Sequence, residues 1–125
     1  MSLGPASVAT LKVLLVEDNP TDVLLLQSSL GQLEGPLFEV VARPRLKDAL
    51  EQIGTGRFDV VLLDLGLPDS QGLETFLRIH ALAPALPVVV LTGLADDEVA
   101  MAAVQAGAQD YIGKGWFEGP MLARA

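Results

Sequence analysis

The chain has 125 residues, half of them hydrophobic and only 5% aromatic, which suits one domain with a core of Val, Leu, Ile and Ala. Its formal net charge is −8, which repels nucleic-acid phosphates and anionic lipid, so direct binding of either by this segment is not expected. There is no cysteine; this excludes a disulfide scaffold and a thiolate zinc site, and it fits a reducing compartment such as the cytoplasm. No apolar run approaches the roughly 20 residues of a membrane helix. The best stretch, Ile79 to Leu91, is broken by His80, Pro84 and Pro87. No basic segment precedes an apolar one, so no secretory signal is read. Met1 to Thr10 is set aside as a leader or remnant, and 11–125 is taken as one domain.

Apolar strand-like runs alternate with amphipathic helical patterns five times. Leu11 to Val16 reads as the first strand. Asn19-Pro20 then offers a helix cap followed by the favoured first helical residue. Val23, Leu26 and Leu30 share one face of that helix, with Gly31 as its expected end. Leu37 to Ala42 is a second strand with one charge, Glu39. Pro44 opens a second helix, Leu46, Ala49, Leu50 and Ile53 form its stripe, and Gly54 is expected to close it. Asp59 to Leu63 is a third strand. Such continuous apolar runs suit a parallel sheet covered on both faces.

A third helix carries Leu73, Phe76 and Leu77 inward and is stopped by Pro84. Pro87 to Leu91 is a fourth strand. Asp96, Asp97 and Glu98 occupy the first turn of a fourth helix, where negative charge is favoured, and Val99, Ala103 and Val104 supply its buried face. Gln109 to Ile112 is a short fifth strand. Glu118 to Ala125 reads as the start of a fifth helix, cut short. Strict β/α alternation implies a parallel sheet with helices on both faces. In such sheets ligands sit beyond the carboxyl ends of the strands.

At those ends the first strand offers Glu17-Asp18, the third Asp64, the fourth Thr92, and the fifth is followed by Lys114. Only the second shows no obvious polar group. Three gathered carboxylates need a cation or a proton. An all-oxygen donor set selects a hard ion, with Mg²⁺ the usual one in phosphate chemistry. Lys114 suits a phosphate oxygen, Thr92 can donate its hydroxyl to another, and a carboxylate can accept a phosphoryl group. Taken singly, each has a plainer reading: an acid where strand meets loop, a turn cap, a solvated lysine. Together they are hard to dismiss. His80, the one histidine, is expected to face solvent, and Trp116-Phe117 to pack locally. No phosphate-cradling glycine loop is present.

The segments VLLVEDNP, DVVLLDLGLPDSQGLE, PVVVLTG and GAQDYIGKG, in this order, resemble the receiver domain of bacterial two-component systems from about Leu11 onward. The resemblance implies a flavodoxin-like, doubly wound α/β fold: five parallel strands ordered 2-1-3-4-5. It implies a signalling switch rather than an enzyme. Asp64 would be the phosphoryl acceptor. Asp18, Glu17, Asp64 and the backbone carbonyl of Gly66 would bind Mg²⁺. Thr92 would be the switch hydroxyl, Lys114 the lysine that pairs with the phosphoryl group, and Tyr111 the aromatic switch that turns inward. The donor would be a histidine kinase or histidine phosphotransfer protein. The reader would be an output domain, a partner, or a second copy meeting the face of the fourth helix, fifth strand and fifth helix.

Two departures stand out. Gly115 follows Lys114 where many receivers have Pro. Gly66 and Leu94, two residues after Asp64 and Thr92, bring no polar side chain to a hydrolytic water, which implies slow-to-moderate self-dephosphorylation. Three rivals are weaker. A haloacid-dehalogenase-type hydrolase needs D-x-D where this chain has Asp64-Leu65-Gly66. A degenerate receiver would lack an acid or the lysine. A flavin binder would need a hydroxyl-rich loop after the first strand.

Overall fold

The computed structural model describes residues 10–32, 37–93 and 97–114. Strand β1 (Thr10–Val16) leads through α1 (Pro20–Gln32) to β2 (Leu37–Arg43). Helix α2 (Leu46–Thr55) follows, then β3 (Val60–Asp64). A short hairpin, β4 (Gly66–Leu67) and β5 (Ser70–Gln71), precedes α3 (Leu73–Leu82). The chain then forms β6 (Val88–Thr92), α4 (Asp97–Gln105) and β7 (Asp110–Gly113). Five strands make one parallel sheet in the order β2-β1-β3-β6-β7. With the hairpin set aside this is the expected 2-1-3-4-5 order. The chain leaves β1 for one neighbour, then returns to pair β3 on the other side. The crevice at the carboxyl ends of β1 and β3 is therefore the topological switch point, where open α/β sheets place their ligands.

The apolar runs divide by parity, because successive strand side chains point to opposite faces. Leu14, Val16, Val61, Leu63, Val88 and Val90 join Leu46 and Ala49 of α2, Phe76 and Ile79 of α3, and Ala100 and Ala103 of α4 in the larger core. Val13, Leu15, Leu62 and Leu91 form the second core with Leu26 of α1, flanked by half-buried Val23 and Leu30. Each fully buried aliphatic side chain contributes about 1.5–3 kcal/mol. Continuous apolar strands are thus what a sheet covered on both faces requires.

Several details differ from the sequence reading. Gly31 lies inside α1, which runs to Gln32. Gly54 lies inside α2, and the helix stops at Gly56, whose N–H donates to the Gln52 carbonyl at 2.8 Å; both glycines have open space where a Cβ would stand, so neither needs to be a helix end. Leu77 is exposed and Ile79 takes its place inside. His80 is half-buried, not solvent-facing: it stacks on Phe76 at 5.1 Å and covers Gly107. Gly107 has φ +128°, and a Cβ there would lie 3.0 Å from the imidazole. β2 extends to Arg43, whose carbonyl accepts the N–H of Glu17 at 3.1 Å, so the second strand also contributes at the switch point, through its backbone. Thr10 belongs to β1, one residue into the segment set aside.

The β4–β5 hairpin was not expected. Its anchor is Leu67, buried in the larger core. Asp69 at its turn accepts the N–H groups of Leu46 and Lys47 at 2.9 and 3.0 Å, so it caps α2 from across the chain in place of Arg45, which makes no side-chain cap. Asp96, Leu94, Gly115, Trp116-Phe117 and the fifth helix lie outside the described residues.

Phe76 is the largest fully buried side chain. Phe76→Ala is expected to destabilise the domain by about 3–5 kcal/mol through lost burial and a cavity, checked by urea denaturation with unchanged far-ultraviolet circular dichroism before the transition.

Candidate functional site

The residues that follow β1, the last residue of β3 and the first after β7 converge at the switch point. The backbone hydrogen bond to Arg43 carries the β1 ladder one residue past the strand, and Glu17 is buried, only 3% exposed. Asp18 beside it is exposed. Asn19 then turns the chain into α1: its Oδ1 accepts the N–H groups of Thr21 and Asp22 at 2.9 and 3.2 Å, an N-cap of the expected kind. One carboxylate oxygen from each of Glu17, Asp18 and Asp64 lies within 4.8 Å of the others.

Lys114 follows β7 directly. Its Nζ contacts Glu17 Oε1, stands 3.0 Å from Asp64 Oδ2, and stands 3.2 Å from Asp22 Oδ2. Asp64 Oδ1 meanwhile accepts the N–H of Gly66 at 3.0 Å. Thr92 ends β6 almost fully buried. It pairs in register with Gly113, where a Cβ would stand 3.9 Å from its Oγ1. Tyr111 is half-buried and packs against the larger core. Glu17, Asp18, Asp64, Thr92, Lys114 and Tyr111 all lie at or just beyond strand ends or on β7. Glu17, Asp18, Asp64 and Lys114 come together directly. The residue missed was Asp22. Its only signal was a spacing of four from Asp18 in the first turn of α1.

Crowded carboxylates shift one another. Burial pushes Glu17 upward, and hydrogen bonding and charge from Asp64 push the same way; Lys114 opposes but does not win, and the group rises from 4.5 to about 8. Burial pushes Asp64 upward too, but hydrogen bonds with Glu17, Gly66 and Lys114 outweigh it, and Asp64 stays below the usual carboxylate range. Burial disfavours the Lys114 ammonium, yet Glu17 and Asp64 hold it well above the ordinary lysine value. The site thus retains one proton among its acids. Both Glu17 carboxyl oxygens are buried without a hydrogen-bond partner among the described residues, Oε1 having only its ion-pair contact with Lys114. A buried carboxylate oxygen without a donor is costly, and a hard divalent cation held by this all-oxygen set would satisfy it. The residues present fit such an ion.

Comparison with known proteins agrees with this geometry. A sequence profile described as "Response regulator receiver domain" matches residues 13–125. The KDP operon transcriptional regulatory protein KdpE of Escherichia coli (strain K12) is 37% identical over 112 residues, 90% of this chain and 48% of that protein. The transcriptional regulatory protein BasR of the same organism is 37% identical over 106 residues, 83% of this chain and 46% of its own length. The chain thus spans about half the length of these relatives. Among solved structures, the phosphorylated cyanobacterial phytochrome response regulator RcpA superposes with a TM-score of 0.73 at 30% identity, covering 93% of this chain and 86% of its own. A receiver-domain protein from Methanospirillum hungatei JF-1 gives 0.69 at 29%, covering 85% and 82%.

The raised Glu17 value has a definite sign. Between pH 4.5 and about 8 the folded protein holds a proton that the unfolded chain has released, so stability of the metal-free protein should fall as pH rises through that window, by at most about 1.4 kcal/mol per pH unit. Asp64 acts in the opposite sense, but only below its ordinary value of 3.8. Urea titrations at several pH values with EDTA present check this. Glu17→Gln should flatten the slope.

Proposed function

The chain belongs to the response regulator receiver domain family, and on that premise we propose that it is a two-component switch that accepts a phosphoryl group on Asp64. The observation that carries this reading is the setting of the Asp64 carboxylate. It lies at the switch point with one oxygen on the Gly66 N–H and the other on Lys114, beside two further acids. It is held ionised, as a nucleophile must be.

The donor is a phosphohistidine on a histidine kinase or histidine phosphotransfer protein. An Asp64 carboxylate oxygen forms a bond to phosphorus as the phosphorus–nitrogen bond breaks, and the electron pair of that bond returns to the imidazole. Lys114 offsets the negative charge that gathers on the phosphoryl oxygens. Glu17, Asp18 and Asp64, with the Gly66 carbonyl, would hold Mg²⁺, which when bound supplies the remaining neutralising charge.

The switch follows from satisfying new acceptors. Thr92 Oγ1 is the hydroxyl able to move toward a phosphoryl oxygen, and its movement makes room for the half-buried Tyr111 ring. The face built from α4 and β7 changes, and an output domain, a partner or a second copy reads it. The process is a population shift driven by oxygens that only one state can satisfy. No described helix is long and apolar enough to cross a membrane, and the proposed site of action is the cytoplasm.

Intact mass after incubation with acetyl phosphate and Mg²⁺ tests the reading. A single-phosphoryl adduct is expected, absent from Asp64→Ala and absent with EDTA. An adduct persisting in Asp64→Ala would overturn the acceptor assignment. Thr92→Ala should still accept the phosphoryl group but lose the beryllofluoride-induced change in the Tyr111 ring resonances.

A further inference from the structure

Lys114 has three N–H donors and no acceptor. Two are donated, to Asp64 Oδ2 at 3.0 Å and Asp22 Oδ2 at 3.2 Å, and the ammonium is also ion-paired with Glu17 Oε1. A phosphoryl oxygen approaching the ammonium therefore competes with three carboxylates already in contact with it. Two of the three are altered by the proposed reaction itself. Asp64 gives up its carboxylate charge on forming the phosphate link, and Glu17 is drawn toward a cation. Asp22 undergoes neither change, because it stands outside the cluster of Glu17, Asp18 and Asp64.

Resting on the phosphoacceptor reading, we infer that Asp22 is a positioning residue of this site, one that holds Lys114 in the unphosphorylated state and competes with the phosphoryl group for its ammonium. The contact joins positions 92 residues apart, tying the end of β7 to the first turn of α1. Its geometry is built in. Asn19 Oδ1 accepts the Asp22 N–H, so the helix cap that starts α1 also fixes where Asp22 stands. The Asp22 side chain is 15% exposed and that of Lys114 17%, so solvent screens this pair less than a surface pair. Asn at this position keeps the size and an acceptor oxygen but removes the charge, leaving a weaker neutral contact.

The test is calorimetric binding of beryllofluoride, a non-transferable phosphoryl mimic, with Mg²⁺ saturating. Asp22→Asn should bind it roughly three- to tenfold more tightly than wild type, the range for replacing a charge-assisted contact by a neutral one. Asp22→Glu should return toward wild type. Glu39→Gln, on the exposed edge of β2, controls for net charge and should leave affinity unchanged. Asp22→Ser serves as a second neutral variant should Asn impair folding, which thermal melting reveals. Equal or weaker binding by the neutral variants, or an equal gain in Glu39→Gln, would overturn the inference while leaving the acceptor reading intact. A wild-type protein that binds no beryllofluoride and takes no phosphoryl group from acetyl phosphate would overturn both.

Discussion

Burying Glu17 beside Asp64 takes two carboxylates largely out of water, and the ammonium of Lys114 is the charge that makes this arrangement tolerable. Among the described residues, no other cation lies within ion-pair distance of these acids. One cation does not neutralise the whole set, and the protein answers by keeping a proton on Glu17 and the charge on Asp64. The resulting asymmetry gives two neighbouring acids different chemistry. Asp64 keeps its charge, and Glu17 does not. Without the lysine, both would be pushed toward protonation.

The rest of the molecule can be understood as a frame for that interaction. Lys114 reaches the acids because β7 is the outer neighbour of β6 and runs parallel to it, so its carboxyl end emerges at the same edge as those of β1 and β3. The two cores hold the strands in register from both faces. The β4–β5 hairpin, pinned by Leu67 below and by Asp69 on the N-terminus of α2, secures the segment whose Gly66 N–H holds one oxygen of Asp64. Gly113 matters for a different reason. It is the register partner of Thr92, and a Cβ there would stand in ordinary contact, 3.9 Å from the Thr92 hydroxyl.

In the proposed switch, the contacts of Lys114 with three carboxylates are what the resting state would give up on activation. The free energy of switching is the difference between contacts broken and contacts made. In the proposed switch, ion pairs at the site would set the resting population as the phosphoryl group would set the active one. A fourth carboxylate, Asp22 on α1, meets the same ammonium from outside the cluster of Glu17, Asp18 and Asp64.

The order of strands and helices, the two-sided burial of the strands and the gathering of Glu17, Asp18, Asp64, Thr92 and Lys114 were legible in the sequence. Periodicity is local, and a parallel sheet necessarily brings all its carboxyl ends to one edge. The spacing of motifs along the chain carried the family resemblance for the same reason. What the tertiary structure alone decided was which groups meet across large separations. The burial of Glu17, the choice of Asp22 as a partner of Lys114, the capping of α2 by Asp69 and the stacking of His80 over Gly107 all depend on side-chain directions set by packing. Residues 92 apart share no local pattern, and only the crossing of their elements determines whether a carboxylate reaches an ammonium.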